Sequence, residues 1–277
     1  MDRLTTADGV ALQRHHWPAT APARGRVLVV HGLGEHGGRY AQLAAALNAA
    51  GWDVHGYDQR GHGASGGARG ALPAAAALLE DLARVIDALP PDGGPPVLLG
   101  HSMGGLVAAR FVAEALQPRP AAWSRPLAAL VLSSPALDPG LTAWQRLQLA
   151  LGHALAPDLA VANGLRPEWV CSDPAVVRAY VADPLVHDRI TPRLARFIVD
   201  AGAQVRALAP RWRLPTLLMW AGADRCVAPA GAAAMAAAVP PAVCAARAFE
   251  GFAHEILNEP GREAVLAQLV DWLAALH

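Results

Sequence analysis

Lysine is absent from this sequence: all 23 fixed cations are arginines, set against 23 carboxylates. Formal net charge is zero, and no basic run could form a patch for nucleic acid. With the abundance of Ala, Gly and Pro, this reads as a coding bias rather than a functional signal. Cysteine is scarce. Cys171, Cys226 and Cys244 offer no disulfide framework and no CxxC pair for zinc, which fits a reducing interior. Long apolar runs are lacking too. Gly, Pro, His or charge breaks each one before about 18 residues, so no segment is expected to span a bilayer. Residues 1–19, MDRLTTADGVALQRHHWPA, hold no apolar stretch of the signal-peptide kind. A cytoplasmic location, with at most peripheral contact with membranes, is the expectation.

What is present suits a buried core. Apolar residues make up 53% and charged residues 17%, which excludes disorder. A chain of 277 residues suffices for one large domain. Asp8-Gly9 predicts a tight turn in an opening hairpin. Apolar strands are predicted over 26–32, 52–58, 96–102, 126–135, 216–224 and 242–250. Helices are predicted over 40–50, 72–90, 103–116, 229–239 and 259–276, with Gly51 closing the first. Strands without period-2 alternation, separated by helices, mean a parallel sheet covered on both faces. From 137 to 209 no convincing strand is read, only helical segments and proline-marked turns. The expected division is a core of 1–136 and 210–277 with a helical cap of 137–209.

Ligands of such sheets sit beyond the carboxyl ends of the strands, and the chemistry-bearing residues fall there. Gly100-His101-Ser102-Met103-Gly104 fits G-x-S-x-G between an apolar strand and a helix. That context turns a loose pattern into a nucleophile elbow. The glycines let the backbone pass close to its neighbours, and the serine hydroxyl is exposed at a helix N-terminus. A serine hydroxyl needs a base. His254, after the last strand, is the candidate; His277 is terminal. Asp224, closing TLLMWAGAD, is the candidate acid, and Asp138, one strand earlier, is its rival. In the loop His31-Gly32-Leu33-Gly34-Glu35-His36 the Leu33 amide pairs with that of Met103 as oxyanion donor, each typically worth ~3 kcal/mol of barrier.

The other histidines, His15, His16, His31, His36, His55 and His62, show no i, i+4 helical pair and no Cys partner. No metal and no other cofactor is expected. His62, in RGHGASGG, is read as bracing a loop near the site. Cys226 is either a reactive thiol at the site mouth or a small buried hydrophobe. Leu141, Trp144, Leu147, Leu151 and Leu155 share one helix face. That face either packs on the domain below or lines an acyl-chain tunnel or touches lipid, and Trp144 is a candidate substrate contact.

HGLGEHGGRY (31–40), DQRGHGASGG (58–67), GHSMGG (100–105), DPLVHDRIT (183–191), WAGADRCVAP (220–229) and FEGFAHEILNE (249–259) occur in order. Together they resemble the monoacylglycerol lipase/lysophospholipase group of α/β-hydrolases over nearly the whole chain. The resemblance implies an α/β-hydrolase fold and a Ser102, Asp224, His254 triad with Leu33 and Met103 at the oxyanion. It also implies that Glu35 and Arg39 line or brace a polar pocket. Some members carry a second histidine three residues after the catalytic one; here that place is Leu257. The implied substrate is a single-chain lipid ester, and the implied protein a monomer or weak homo-oligomer. An acyltransferase on the same triad, a short-chain esterase and a catalytically dead binding protein remain the other readings.

Overall fold

The computed structural model describes residues 2–276; His277 lies outside them. β1 (Arg3–Thr5) and β2 (Ala11–Trp17) form the opening antiparallel hairpin. Gly9 turns it at φ 84°, a left-handed backbone open to glycine without steric cost. Next come β3 (Gly25–Val30), α1 (Ala41–Ala49), β4 (Trp52–Tyr57), α2 (Ala77–Asp87), β5 (Val97–His101), α3 (Ser102–Glu114) and β6 (Ala129–Ser133). α4 (Ala143–Leu155), β7 (Val161–Ala162), α5 (Pro174–Ala182), β8 (Arg189–Ile190) and α6 (Pro192–Leu208) follow. β9 (Thr216–Ala221), α7 (Pro229–Ala238), β10 (Cys244–Phe249) and α8 (Arg262–Ala274) close the order.

Eight strands make one sheet, ordered β1-β2-β4-β3-β5-β6-β9-β10. From β4 to β10 every neighbour is parallel, and only the opening hairpin joins antiparallel. Each central strand divides its side chains between two apolar clusters. Leu28, Val30, Leu98, Leu132 and Leu218 join one with α2, α3, α6 and α7. Val27, Val29, Leu99, Val131 and Leu217 join the other with α1 and α8. Both faces are dry, so the strands read as unbroken apolar runs. Burying each such side chain stabilises the fold by about 1.5–3 kcal/mol.

α3 is buried nearly all round, from Met103 to Glu114 apart from Arg110. A helix apolar on every side needs cover on every side. α2 and α6 supply it away from the sheet, the latter through Leu194, Phe197, Ile198, Ala201 and Val205. The start of α3, which carries Ser102, is thus anchored from several directions.

The main differences from the sequence expectation are these. The helix expected over 72–90 is regular only from Ala77 to Asp87, because Pro73 and the alanines after it run through turns. The closing helix starts at Arg262 rather than 259. Pro260 intervenes, and the Glu259 carboxylate is held by the Ser172 amide (2.5 Å) and hydroxyl (2.7 Å). Within 137–209, where no strand was read, β7 and β8 pair antiparallel, Val161 opposite Ile190. Two residues per strand are too few to show a period. Among the described residues no helix is long and apolar enough to cross a membrane.

Candidate active site

β5 enters α3 through a turn so sharp that Ser102 takes φ 54°. A side chain held there costs of order 1–3 kcal/mol, and such strain concentrates at functional sites. The flanking glycines are sterically required. A Cβ on Gly100 would meet the Gly104 carbonyl oxygen at 2.5 Å, and one on Gly104 would meet that of Val30 at 2.1 Å. Both obstacles are backbone and cannot yield. The close passage expected from G-x-S-x-G is therefore present, and Ser102 remains partly exposed at the head of α3.

His254 and Asp224 reach that hydroxyl from the loops after β10 and β9. His254 Nε2 lies 2.8 Å from Ser102 Oγ, and its Nδ1 lies 2.6 Å from Asp224 Oδ2. Amides of Cys226 (2.8 Å) and Val227 (3.1 Å) donate to the other carboxylate oxygen, fixing the acid's orientation. The rival acid is elsewhere. Asp138 accepts the Gly140 amide on its own exposed turn.

The loop after β3 abuts the serine. A Cβ on Gly32 would meet Ser102 Cβ at 3.1 Å, and Gly34 stands at φ 77°. The His187 amide donates to the Gly34 carbonyl at 2.8 Å, so the segment before β8 pins this loop. Among the described residues neither the Leu33 nor the Met103 amide donates to a protein acceptor.

Glu35 and Arg39 brace this corner. Glu35 Oε1 accepts the Gly32 amide (2.6 Å) and the Tyr40 hydroxyl (2.7 Å). Its Oε2 accepts Arg39 Nη1 at 2.5 Å. Arg39 also grips Glu255 through two nitrogens, at 2.6 and 2.8 Å, and lies over the Tyr180 ring at 4.9 Å. Burial alone would raise the Glu35 carboxyl, but the Arg39 guanidinium overrides it and keeps Glu35 ionised. One arginine thereby ties the loop after β3 to the residue next to His254. Glu255, Tyr180 and Asp58 escaped the sequence reading. Asp58 accepts His15 Nε2 (2.7 Å) and the amides of Gly37 and Ala64 (both 2.8 Å), stitching two loops together. Burial opposes its ionisation, yet His15, the Ala64 amide and nearby His31 hold its carboxyl at about 2.

Trp144 stands apart, 65% exposed on α4 beside Leu151 (53%) and Leu155 (82%). α4 has no buried residue, so the reading in which this face packs on the domain below is corrected. Leu257 is buried in the core beneath the base loop. His62, buried between His31 and His187 with Nδ1 bonded to the Arg60 carbonyl oxygen, sits as a loop brace would. Cys226 is half-buried, and burial followed by Asp224 pushes its thiol up, away from the reactive thiolate. Two groups among the described residues bring three ligand-type atoms within 4.8 Å of one another: Asp224 with Cys226 and His254, and His16 with Asp53 and His55.

Burial pushes His31, His62 and His101 down, the last to about 4 with His254 adding to the effect. The unfolded chain therefore binds protons that the fold refuses. Stability from these groups is complete above about pH 6.5. It is lost as pH falls, for His101 through about 4. The urea midpoint is expected to be lower at pH 5 than at pH 7.5; an unchanged midpoint would mean that these imidazoles titrate normally.

A nucleophile at the tip of a central parallel strand, with its base and acid on later loops, is how α/β-hydrolases of the serine hydrolase class are built. Residues 21–261 match the family described as serine aminopeptidase, S33, and the chain belongs to that family. It is 33% identical to a monoacylglycerol lipase of Mycolicibacterium smegmatis, over 96% of this chain and 94% of that protein. An uncharacterized abhydrolase domain-containing protein of Dictyostelium discoideum is 29% identical over 99% of this chain, which spans only 29% of that protein. The crystal structure of Paleococcus ferrophilus monoacylglycerol lipase superposes with a TM-score of 0.84 at 33% identity. It covers 96% of this chain and 99% of that one.

Proposed function

We propose that this chain is a carboxylic-ester hydrolase acting on single-chain lipid esters such as monoacylglycerols. The observation that carries the chemistry is the unbroken line Ser102 Oγ, His254, Asp224, with hydrogen bonds of 2.8 and 2.6 Å. His254 Nε2 takes the hydroxyl proton as Ser102 Oγ attacks the ester carbonyl. Asp224 fixes the tautomer and stabilises the imidazolium. The Leu33 and Met103 amides receive the oxyanion. His254 returns the proton to the departing alcohol, then activates the water that cleaves the acyl-enzyme. No cofactor enters this sequence.

The lipid reading draws on the named lipases and on residues 137–209, which we take as a cap. The exposed Trp144, Leu151 and Leu155 face of α4 suits brief contact with a lipid surface during substrate entry. Zero net charge adds no attraction to anionic lipid. The family description names an aminopeptidase, an enzyme that must receive a free α-amino group. The two carboxylates braced beside the triad, Glu35 and Glu255, are already engaged by Arg39, which favours an ester.

Free fatty acid release from a long-chain monoacylglycerol, beside cleavage of a short-chain activated ester, tests the reading. The expected result is release of both products by the wild type. A Leu151→Asp/Leu155→Asp variant is expected to lose rate on vesicle-borne monoacylglycerol only. Cleavage of the short ester alone would keep the triad and discard the lipid substrate.

A further inference from the structure

A second cluster lies at the other end of the sheet. On the antiparallel pair β2–β4, His16 stands opposite His55. Their rings stack in parallel, with centroids 4.3 Å apart and planes 4° apart. Asp53 precedes His55 by two residues and so shares its face of β4. Asp53 lies beside Arg26 near the start of β3, whereas the triad lies past the strands' far ends. Its Oδ1 is 3.0 Å from His16 Nε2, and its Oδ2 is 2.8 Å from His55 Nε2.

We propose that His16, Asp53 and His55 bind one divalent transition-metal ion of the zinc and nickel class. Two imidazole nitrogens and one carboxylate oxygen suit borderline ions, not Mg²⁺ or Ca²⁺. The three ligand atoms already lie within 4.8 Å of one another. The two nitrogens touch opposite oxygens of one carboxylate from parallel rings, so a turn of the Asp53 carboxylate and of the exposed His16 ring brings the three donors to the spacing of about 3.4 Å that an ion with bonds of about 2.1 Å requires. The ion replaces the two Nε2–H···O bonds, and each neutral imidazole then carries its proton on Nδ1. The Ala19 amide, 3.2 Å from Asp53 Oδ1, helps orient the carboxylate. Two cavities are lined by members of the cluster. His16 and His55 line a cavity of about 170 Å³, and Asp53 lines another of about 440 Å³. Arg26, the cation nearest Asp53 in register, is turned onto the Pro90 carbonyl oxygen and Asp92. The sequence expectation of no metal rested on the lack of an i, i+4 helical pair and of a Cys partner. Pairing across two strands supplies what that spacing lacks, and the bound ion would staple the opening hairpin to the sheet.

The test is zinc titration of the chelator-treated, full-length protein by calorimetry, with melting temperature read in parallel. One equivalent is expected to bind and to raise the melting temperature. His16→Ala is expected to weaken binding on the order of 100-fold and to abolish the rise. His16 is half exposed, so this variant keeps the fold, which an unchanged melting temperature of the zinc-free protein verifies. His254→Ala is expected to leave the affinity unchanged. No binding up to about 1 mM zinc overturns the proposal. Wild-type affinity in His16→Ala does so too, as does loss of binding in His254→Ala, which would put the ion on the Asp224 cluster.

Discussion

Ser102→Ala is expected to lower kcat on a monoacylglycerol by a factor of about 10⁴–10⁶ while the protein melts within a few degrees of the wild type. The change deletes one hydroxyl and keeps the Cβ. The hydrogen bond lost to His254 Nε2 is a single contact at a partly exposed position, worth about 1 kcal/mol. The left-handed turn between β5 and α3 stays fixed by Gly100 and Gly104, which have no room for any other residue. Binding and the amides of Leu33 and Met103 proposed for the oxyanion survive, so a small residue of catalysis over water should remain. Kinetics paired with a melting curve reads both effects. Substantial turnover by the folded variant, without labelling by a fluorophosphonate, would exclude Ser102 as nucleophile.

Arg39→Ala carries the second largest expected effect, and on stability it is the largest. Glu35 and Glu255 are both buried, and Arg39 bonds to both. Removing it leaves two carboxylates facing one gap. Breaking a buried pair in this way costs about 3–5 kcal/mol. In a protein of this size that lowers the melting temperature by roughly 10 °C. Activity should fall as well, since Glu35 holds the Gly32 amide and Glu255 adjoins His254. The loss should be smaller at pH 5 than at pH 8, because burial raises the Glu35 carboxyl once Arg39 no longer opposes it, and Glu35 can then take up a proton. Arg39→Lys should recover little, for one ammonium cannot reproduce the two-pronged grip on Glu255. A double variant, Arg39→Ala/Glu255→Gln, should be more stable than Arg39→Ala alone. Wild-type stability in Arg39→Ala would show that water serves these carboxylates equally well.

The sheet and the three residues proposed as the triad were legible because each leaves a local trace. Doubly buried strands read as unbroken apolar runs, and the elbow's glycines are forced by backbone contacts within a few residues. Asp224 and His254 follow strands that announce themselves. Glu255 was hidden in plain view beside His254. Its partner Arg39 is distant in sequence, and no spacing along the chain reports that contact. The His16–His55 pair was invisible for the same reason, since strand register decides it. β7 and β8 were too short for any period. The α4 stripe was seen, but a stripe of leucines looks alike whether it meets a core or the solvent. Only the packing, which leaves Leu155 82% exposed, separates the two.

The Arg39 junction also fixes how the protein should respond to brine. Dissolved ions screen exposed charges separated by more than about 8 Å at physiological ionic strength and about 3 Å at 1 M, and they screen buried pairs much less. Arg193–Asp158 and Arg196–Asp200 sit at the surface and will weaken as salt rises. The first of these ties the chain after α4 to α6, so strong salt loosens the outer segment first. Glu35, Arg39 and Glu255 lie largely beyond the reach of dissolved ions. The loops around Ser102 should therefore hold their arrangement in concentrated salt, while the part of the molecule that meets the solvent grows looser.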